Sequence, residues 1–186
     1  MEIIETKLPG VVIIQPKIFP DARGFFLESY HALRYKQSNI DVTFVQDNLS
    51  RSTRGVLRGL HCQLEQTQGK LVYATRGSVF DVAVDIRSGS PTFGQSVSAI
   101  LDDQNHQQLY VPPGFAHGFC VLSDEADFMY KCTDYYHPAS EIGVRWDDPD
   151  LKISWPITQP LLSARDQNYP RLKDIPVSKL PIYQSV

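Results

Sequence analysis

One short stretch gathers the groups best suited to moving a proton next to an anion. Arg54-Gly55-Val56-Leu57-Arg58-Gly59-Leu60-His61-Cys62-Gln63 sets a histidine in an apolar run behind two arginines, and Lys70-Leu71-Val72 follows closely. An imidazole with an ordinary pKa of about 6.5 is a usable base near neutrality. Guanidinium and ammonium groups hold negative charge, the planar guanidinium doing so with paired hydrogen bonds. Gly55 and Gly59 let the backbone bend or approach a neighbour closely. This composition suits chemistry on an anion.

Other chemistries find less support. A small β-barrel metal site of the His-x-His type needs a second histidine at position 63, where the chain has Gln63, and neither His106 nor His117 completes a cluster at ligand spacing. The sequence has no Gly-x-Ser-x-Gly elbow, and Cys62 points away from His61 on a regular strand. No glycine fingerprint for a dinucleotide sits between a strand and a helix. A proton-transfer site is left, with His61 as base, Tyr130 as a candidate acid and cations to hold charge.

Taken singly, each of these side chains also has a plain structural role. Lys70 reads as a solvated strand end and Tyr130 as a core tyrosine with a satisfied hydroxyl. Alternation in Asp81-Val82-Ala83-Val84-Asp85-Ile86 puts both carboxylates on one face, pointing either to solvent, the more usual outcome, or into a polar lumen. The same alternation places Leu57, Gly59, His61 and Gln63 on one face and Arg58, Leu60 and Cys62 on the other. Arg58 and His61 can therefore line one site only if the strand is irregular near Gly59.

The elements that must position these groups are mostly strands. Runs of β-branched and aromatic residues between turn residues predict strands at 11–15, 24–28, 42–46, 57–63, 70–75, 78–86, 94–101, 108–111, 118–122 and 126–135, with one helical stretch at 29–39. Their number and close spacing favour a sandwich or barrel over alternating strand–helix units. From Pro138 onward, Pro149, Pro156, Pro160, Pro170, Pro176 and Pro181 break any long element, which predicts an arm of short turns packed on the barrel within one domain spanning 1–186. Within the arm, Ser163 is positioned to cap a turn that carries Arg165 and Asp166.

Composition narrows the setting. With 18 Lys and Arg against 21 Asp and Glu, the formal net charge is −3 and the basic residues are scattered, which argues against a nucleic-acid partner. Three cysteines at no metal-ligand spacing form no closed disulfide framework, as expected of reduced, cytoplasmic thiols. Neither a signal core nor a membrane-length apolar run is visible.

Ordered along the chain, Phe19-Pro20-Asp21-Ala22-Arg23-Gly24-Phe25-Phe26-Leu27-Glu28, Phe44 to Ser50, Gly55 to His61, Lys70-Leu71-Val72, Asp81 to Arg87, Pro112 to Phe119, Trp155-Pro156 and Leu162 to Asp166 closely resemble the dTDP-4-dehydrorhamnose 3,5-epimerases of the cupin superfamily. The resemblance implies a mainly β, cupin-type jelly-roll fold. It also implies an isomerase that inverts carbons 3 and 5 of dTDP-4-dehydro-6-deoxy-D-glucose without metal or organic cofactor, in dTDP-L-rhamnose biosynthesis. Carried over from the family, His61 is the base, Asp166 its orienting partner, Lys70 the cation for the enolate oxygen and Tyr130 the acid on the opposite face. Arg23, Glu28, Gln46, Asp47, Asn48, Arg58, His117, Glu141 and Arg165 match positions that hold the nucleotide-sugar, and Tyr135 one that stacks on thymine. The family further implies a homodimer in which N-terminal strands pair with the partner, so that Arg23 and Glu28 serve the neighbouring site. Two positions depart from the pattern: Cys62 stands where tyrosine is common, and Arg165 where lysine is. An epimerase that inverts one carbon, a non-catalytic nucleotide-sugar binder and a metal-dependent cupin are the alternatives.

Overall fold

In the computed structural model, which describes residues 1–184, the strands come in chain order as β1 (Glu2–Glu5), β2 (Val12–Gln15), β3 (Ile18–Asp21) and β4 (Gly24–Leu27), followed by the helix α1 (Ala32–Gln37). Then come β5 (Gln46–Thr53), β6 (Leu57–Gln63), β7 (Lys70–Arg76), β8 (Ser78–Asp85), β9 (Ser96–Asp102), β10 (Gln108–Val111), β11 (Phe115–Val121), β12 (Glu125–Cys132) and β13 (Glu141–Gly143). Six strands form one sheet in the order β1-β2-β10-β7-β12-β5 and five form a second in the order β13-β6-β11-β8-β9, while β3 and β4 make a separate hairpin. The strand pairs of the two sheets and the hairpin are antiparallel. No helix among the described residues is long and apolar enough to cross a membrane.

Between the sheets, Val72, Val79, Ala83, Leu101, Leu109, Phe115, Phe119 and Phe128 form the central core. The outward side of the five-stranded sheet is also covered. Val82, Val84 and Ile86 on β8 and Leu60 and Cys62 on β6 pack under Leu151, Leu172, Ile175 and Leu180 from the C-terminal segment. This double covering decides where the β8 carboxylates go: the apolar face turns out beneath the C-terminal segment, and Asp81 and Asp85, both fully buried, turn inward. The more usual expectation of solvent is thereby corrected, because a strand with both faces covered has no solvated side. Asp85 is satisfied there by Arg87 at 2.7 Å and by the hydroxyls of Ser90 and Thr92, each at 2.6 Å.

Strand 42–46 is corrected in place. Val42 and Phe44 pack against a cluster that includes Tyr35, and pairing begins at Gln46 and runs through Thr53. The sequence hides this strand because β5 is a sheet edge with polar residues on both faces, outward Asp47 and Arg51 in solvent and, on the inward face, Gln46, Asn48 and Ser50 at the cavity described below and Ser52 buried. The predicted helix shrinks to α1, and β1, β3 and β13 were not anticipated.

Candidate active site

A cavity of about 960 Å³ opens between the two sheets, walled by β5, β7 and β12 on one side, β6 and β11 on the other, and residues 161–166 of the C-terminal segment. His61, Arg58, Lys70, His117, Tyr130, Gln46, Asn48, Glu141, Arg165 and Asp166 all line it. These residues span more than a hundred positions of sequence, and the sandwich brings them together.

His61 sits on β6, half-buried, with Nε2 2.6 Å from Oδ1 of the buried Asp166. So short a contact fixes the ring's orientation and leaves Nδ1 as the ring nitrogen not engaged by Asp166. Asp166 is held in turn: its backbone N–H donates to Ser163 Oγ at 3.1 Å, the capping contact expected of that serine, at the start of a 3₁₀ turn over Asp166–Asn168.

Arg58 reaches the same cavity because β6 is bulged. His61 pairs with His117 and Arg58 with Phe119, so three steps on β6 oppose two on β11. The odd step turns Arg58 to the side of His61, as the irregularity predicted near Gly59 requires. Gly59 has φ of +128°, and a Cβ there would lie 2.5 Å from Gly118 Cα, so only glycine fits. Once turned inward, the Arg58 guanidinium donates to Ser52 Oγ from Nε at 3.1 Å and from Nη2 at 3.0 Å.

Lys70 opens β7 and is half-buried, at the cavity wall rather than at a solvated strand end. Among the described residues neither Lys70 nor Arg58 forms an ion pair with a carboxylate, whereas Arg165 pairs with Glu141. Two uncompensated cations face one cavity, a field that favours an anionic ligand.

Tyr130 enters from β12 on the opposite sheet to His61, its ring 6.2 Å from that of Phe128. It is a core tyrosine only in part, since it also borders the cavity. Burial raises the pKa of its hydroxyl, against a smaller opposing pull from Arg58, so it keeps its proton at neutral pH. His117 is buried beside the cavity, with Nε2 2.9 and 3.0 Å from the two carboxylate oxygens of Asp81.

At the mouth, Glu141 gathers three donors: the Arg165 guanidinium, Tyr136 Oη at 3.0 Å and Tyr169 Oη at 3.1 Å. Burial pushes the Glu141 pKa up, but the nearby His61 and these donors outweigh it and hold the group below its usual value, as a carboxylate. Gln46 Oε1 accepts the Tyr136 N–H at 2.9 Å, and Asn48 Oδ1 accepts from Gln46 Nε2 at 3.0 Å. Gln63 donates to the carbonyls of Gln66 and Tyr135 and accepts from His137 N–H, bracing the turn that carries Tyr136. Cys62 packs behind the strand, where burial pushes its thiol up to about 11.

Four of the anticipated residues lie outside the cavity wall. Asp47 points outward to Lys131 at 2.9 Å. Tyr135 is exposed, and its neighbour Tyr136 takes the wall position; with the strand ended at Cys132, alternation carries no information about which of the two turns inward. Arg23 pairs with Asp21 at 2.7 Å on the β3–β4 hairpin, and Glu28 with Arg34 at 2.9 Å. Ser52, Tyr136 and Asp81, in contrast, were not anticipated as parts of the site. Only the inward period of β5 could have drawn attention to Ser52.

Known proteins match this chain over nearly its whole length. Residues 5–174 fit the family model described as dTDP-4-dehydrorhamnose 3,5-epimerase. The dTDP-4-dehydrorhamnose 3,5-epimerase of Neisseria gonorrhoeae is 56% identical over 167 residues, 89% of this chain and 51% of that protein, so the chain spans about half the length of that relative. The enzyme of the same name from Shigella flexneri is 52% identical over 176 residues, 94% of this chain and 97% of that one. The dTDP-6-deoxy-D-glucose-3,5-epimerase of Legionella pneumophila Philadelphia 1, solved in complex with dTDP-4-keto-L-rhamnose, superposes with a TM-score of 0.97 at 56% identity, covering 99% of each chain. With this cupin-type sandwich and these relatives, the chain belongs to the dTDP-4-dehydrorhamnose 3,5-epimerase family.

Proposed function

We infer that this chain epimerises carbons 3 and 5 of dTDP-4-dehydro-6-deoxy-D-glucose to give dTDP-4-dehydro-L-rhamnose. The observation that carries the reading is one cavity in which the His61–Asp166 pair, the uncompensated cations Arg58 and Lys70, and a protonated Tyr130 from the opposite sheet all face inward. Carbons 3 and 5 both flank the carbon-4 ketone, so loss of either proton gives an enolate with its charge on the same oxygen. A single cation can then serve both inversions.

In each inversion His61 takes the carbon-bound proton on Nδ1, and Asp166 stabilises the resulting imidazolium through the Nε2–H bond. Lys70 holds the enolate oxygen. Tyr130 returns a proton to the opposite face of the carbon, which inverts it, and bulk water restores both groups to their starting states. Arg58 suits the diphosphate, whose charge it meets with two parallel donors. Gln46, Asn48, His117, Glu141, Arg165 and Tyr136 contribute the remaining contacts to the nucleotide-sugar. The reading includes a homodimer in which Arg23 and Glu28, on and just after the β3–β4 hairpin, reach the neighbouring subunit's cavity. The exposure of Phe19, Phe25 and Phe26 on that hairpin, at 47%, 57% and 67%, supports a covered surface there.

Incubating the purified protein with the 4-keto sugar nucleotide in deuterated water tests the reading. Deuterium is expected at both carbons 3 and 5, with the L-configured product. Exchange at one carbon alone would reassign the chain as a single-carbon epimerase, and binding without exchange would make it a nucleotide-sugar binder.

A further inference from the structure

We propose that Tyr169 is a positioning residue for His61, its ring clamping the imidazole against Asp166. The proposal rests on the reading of His61 as the base.

Tyr169 directly follows the 3₁₀ turn that carries Asp166, so one short segment delivers both the carboxylate that bonds the imidazole and the ring that packs against it. The two rings meet edge to face, centroids 5.6 Å apart at 69°. The phenol does not border the cavity, which leaves it touching the histidine rather than a ligand. Its own place is fixed from two sides. Oη donates to Glu141 Oε1 at 3.1 Å, and the ring lies flat on Gly143, where a Cβ would come within 2.3 Å of Cε1, Cε2 and Cζ. Gly143 is the cross-strand partner of His61 in the β13–β6 pair, so the bare backbone at that position is what lets the ring reach the imidazole. Burial, together with the Glu141 charge, pushes the phenol's pKa up, which keeps it a neutral donor.

A ring held on one edge by a hydrogen bond can still rock about that bond. The Asp166 contact fixes Nε2, and the Tyr169 face removes the rocking that would swing Nδ1 away from the carbon it must deprotonate. Misplacing a reacting atom by about 1 Å can cost on the order of 100-fold in rate.

Tyr169→Leu removes the ring, Tyr169→Phe keeps it, and Gly143→Ala pushes it away. Tyr169→Leu is expected to lower kcat by about 10–100-fold with KM unchanged, and deuterium incorporation is expected to fall by the same factor. The downfield proton resonance of the His61–Asp166 bond should broaden away in this variant. Tyr169→Phe loses the hydrogen bond to Glu141 but keeps the ring seated on Gly143, and is expected to keep the resonance and to lose far less kcat than Tyr169→Leu. Should Tyr169→Leu fail to fold, Gly143→Ala is expected to show the same losses and decides the matter by the same readouts. Wild-type kcat and an unchanged resonance in the folded Leu or Ala variant would overturn the clamp, as would an equal loss in Tyr169→Phe. The resonance needs no turnover: an inactive wild type whose resonance still depends on the Tyr169 ring would overturn the functional reading and leave the clamp standing.

Discussion

At the scale of single residues, the site divides its labour by environment. Lys70 and Arg58 lack carboxylate partners among the described residues, and Tyr130 is kept protonated by burial, so one cavity sets positive charge and a protonated phenol beside His61. Under the proposed role of Lys70 as the cation for the enolate oxygen, Lys70→Ala should lower kcat by about 10²–10³-fold, as for other oxyanion donors. Tyr130→Phe should reduce inversion by about 10²–10⁴-fold, the usual range for a general acid or base. Because burial raises the Tyr130 pKa, the wild-type rate is expected to hold through neutral pH and fall only as pH climbs past that raised value. Tyr130→Phe should remove this alkaline limb from its residual rate. Steady-state kinetics across pH check both; an alkaline limb that survives in the Phe variant would assign it to another group.

Elements then decide which residues meet. On a regular strand Arg58 and His61 point apart, and one extra residue in β6 opposite β11 reverses that. The bulge depends on Gly59, whose positive φ and close approach to Gly118 leave no room for a Cβ. Gly59→Ala is therefore expected to destabilise the fold by about 1–3 kcal/mol, the cost of a strained backbone position, and to weaken nucleotide-sugar binding in the protein that folds, because Arg58 leaves Ser52. Thermal unfolding together with a binding titration checks this. A variant with wild-type stability and affinity would show that the bulge forms without the glycine. The bulge was foreseeable as a need, since a glycine lay between two residues that had to converge. Its form was not, because propensity says nothing about cross-strand register.

On the scale of the whole molecule, the double covering of the five-stranded sheet sets the polarity of the interior. The C-terminal segment takes the apolar face of β8, and the lumen takes Asp81 and Asp85. The exposed phenylalanines of the β3–β4 hairpin are a second consequence of architecture, since the hairpin stands apart from both sheets. If that hairpin completes a neighbour's cavity, an isologous pair of subunits shares its sites. Mixing inactive His61→Ala subunits with inactive Arg23→Ala subunits is then expected to restore turnover, because exchange creates one cavity with both residues intact. Mixtures that stay inactive after verified subunit exchange would place Arg23 in its own subunit's service.

The sequence by itself determined the mainly β class, the proline-broken C-terminal segment, the Ser163 cap and the identities of the chemical groups, since each rests on local pattern or side-chain chemistry. The resemblance to known epimerases already implied that Asp166 partners His61 and that Tyr130 stands opposite it, pairings no local pattern shows; only the tertiary structure decided that Tyr136 rather than Tyr135 lines the wall and that the β8 carboxylates turn inward. Those outcomes depend on which sheet or segment covers which face and on where a strand ends. Hydrophobic alternation specifies two faces of a strand without saying what will lie against either of them.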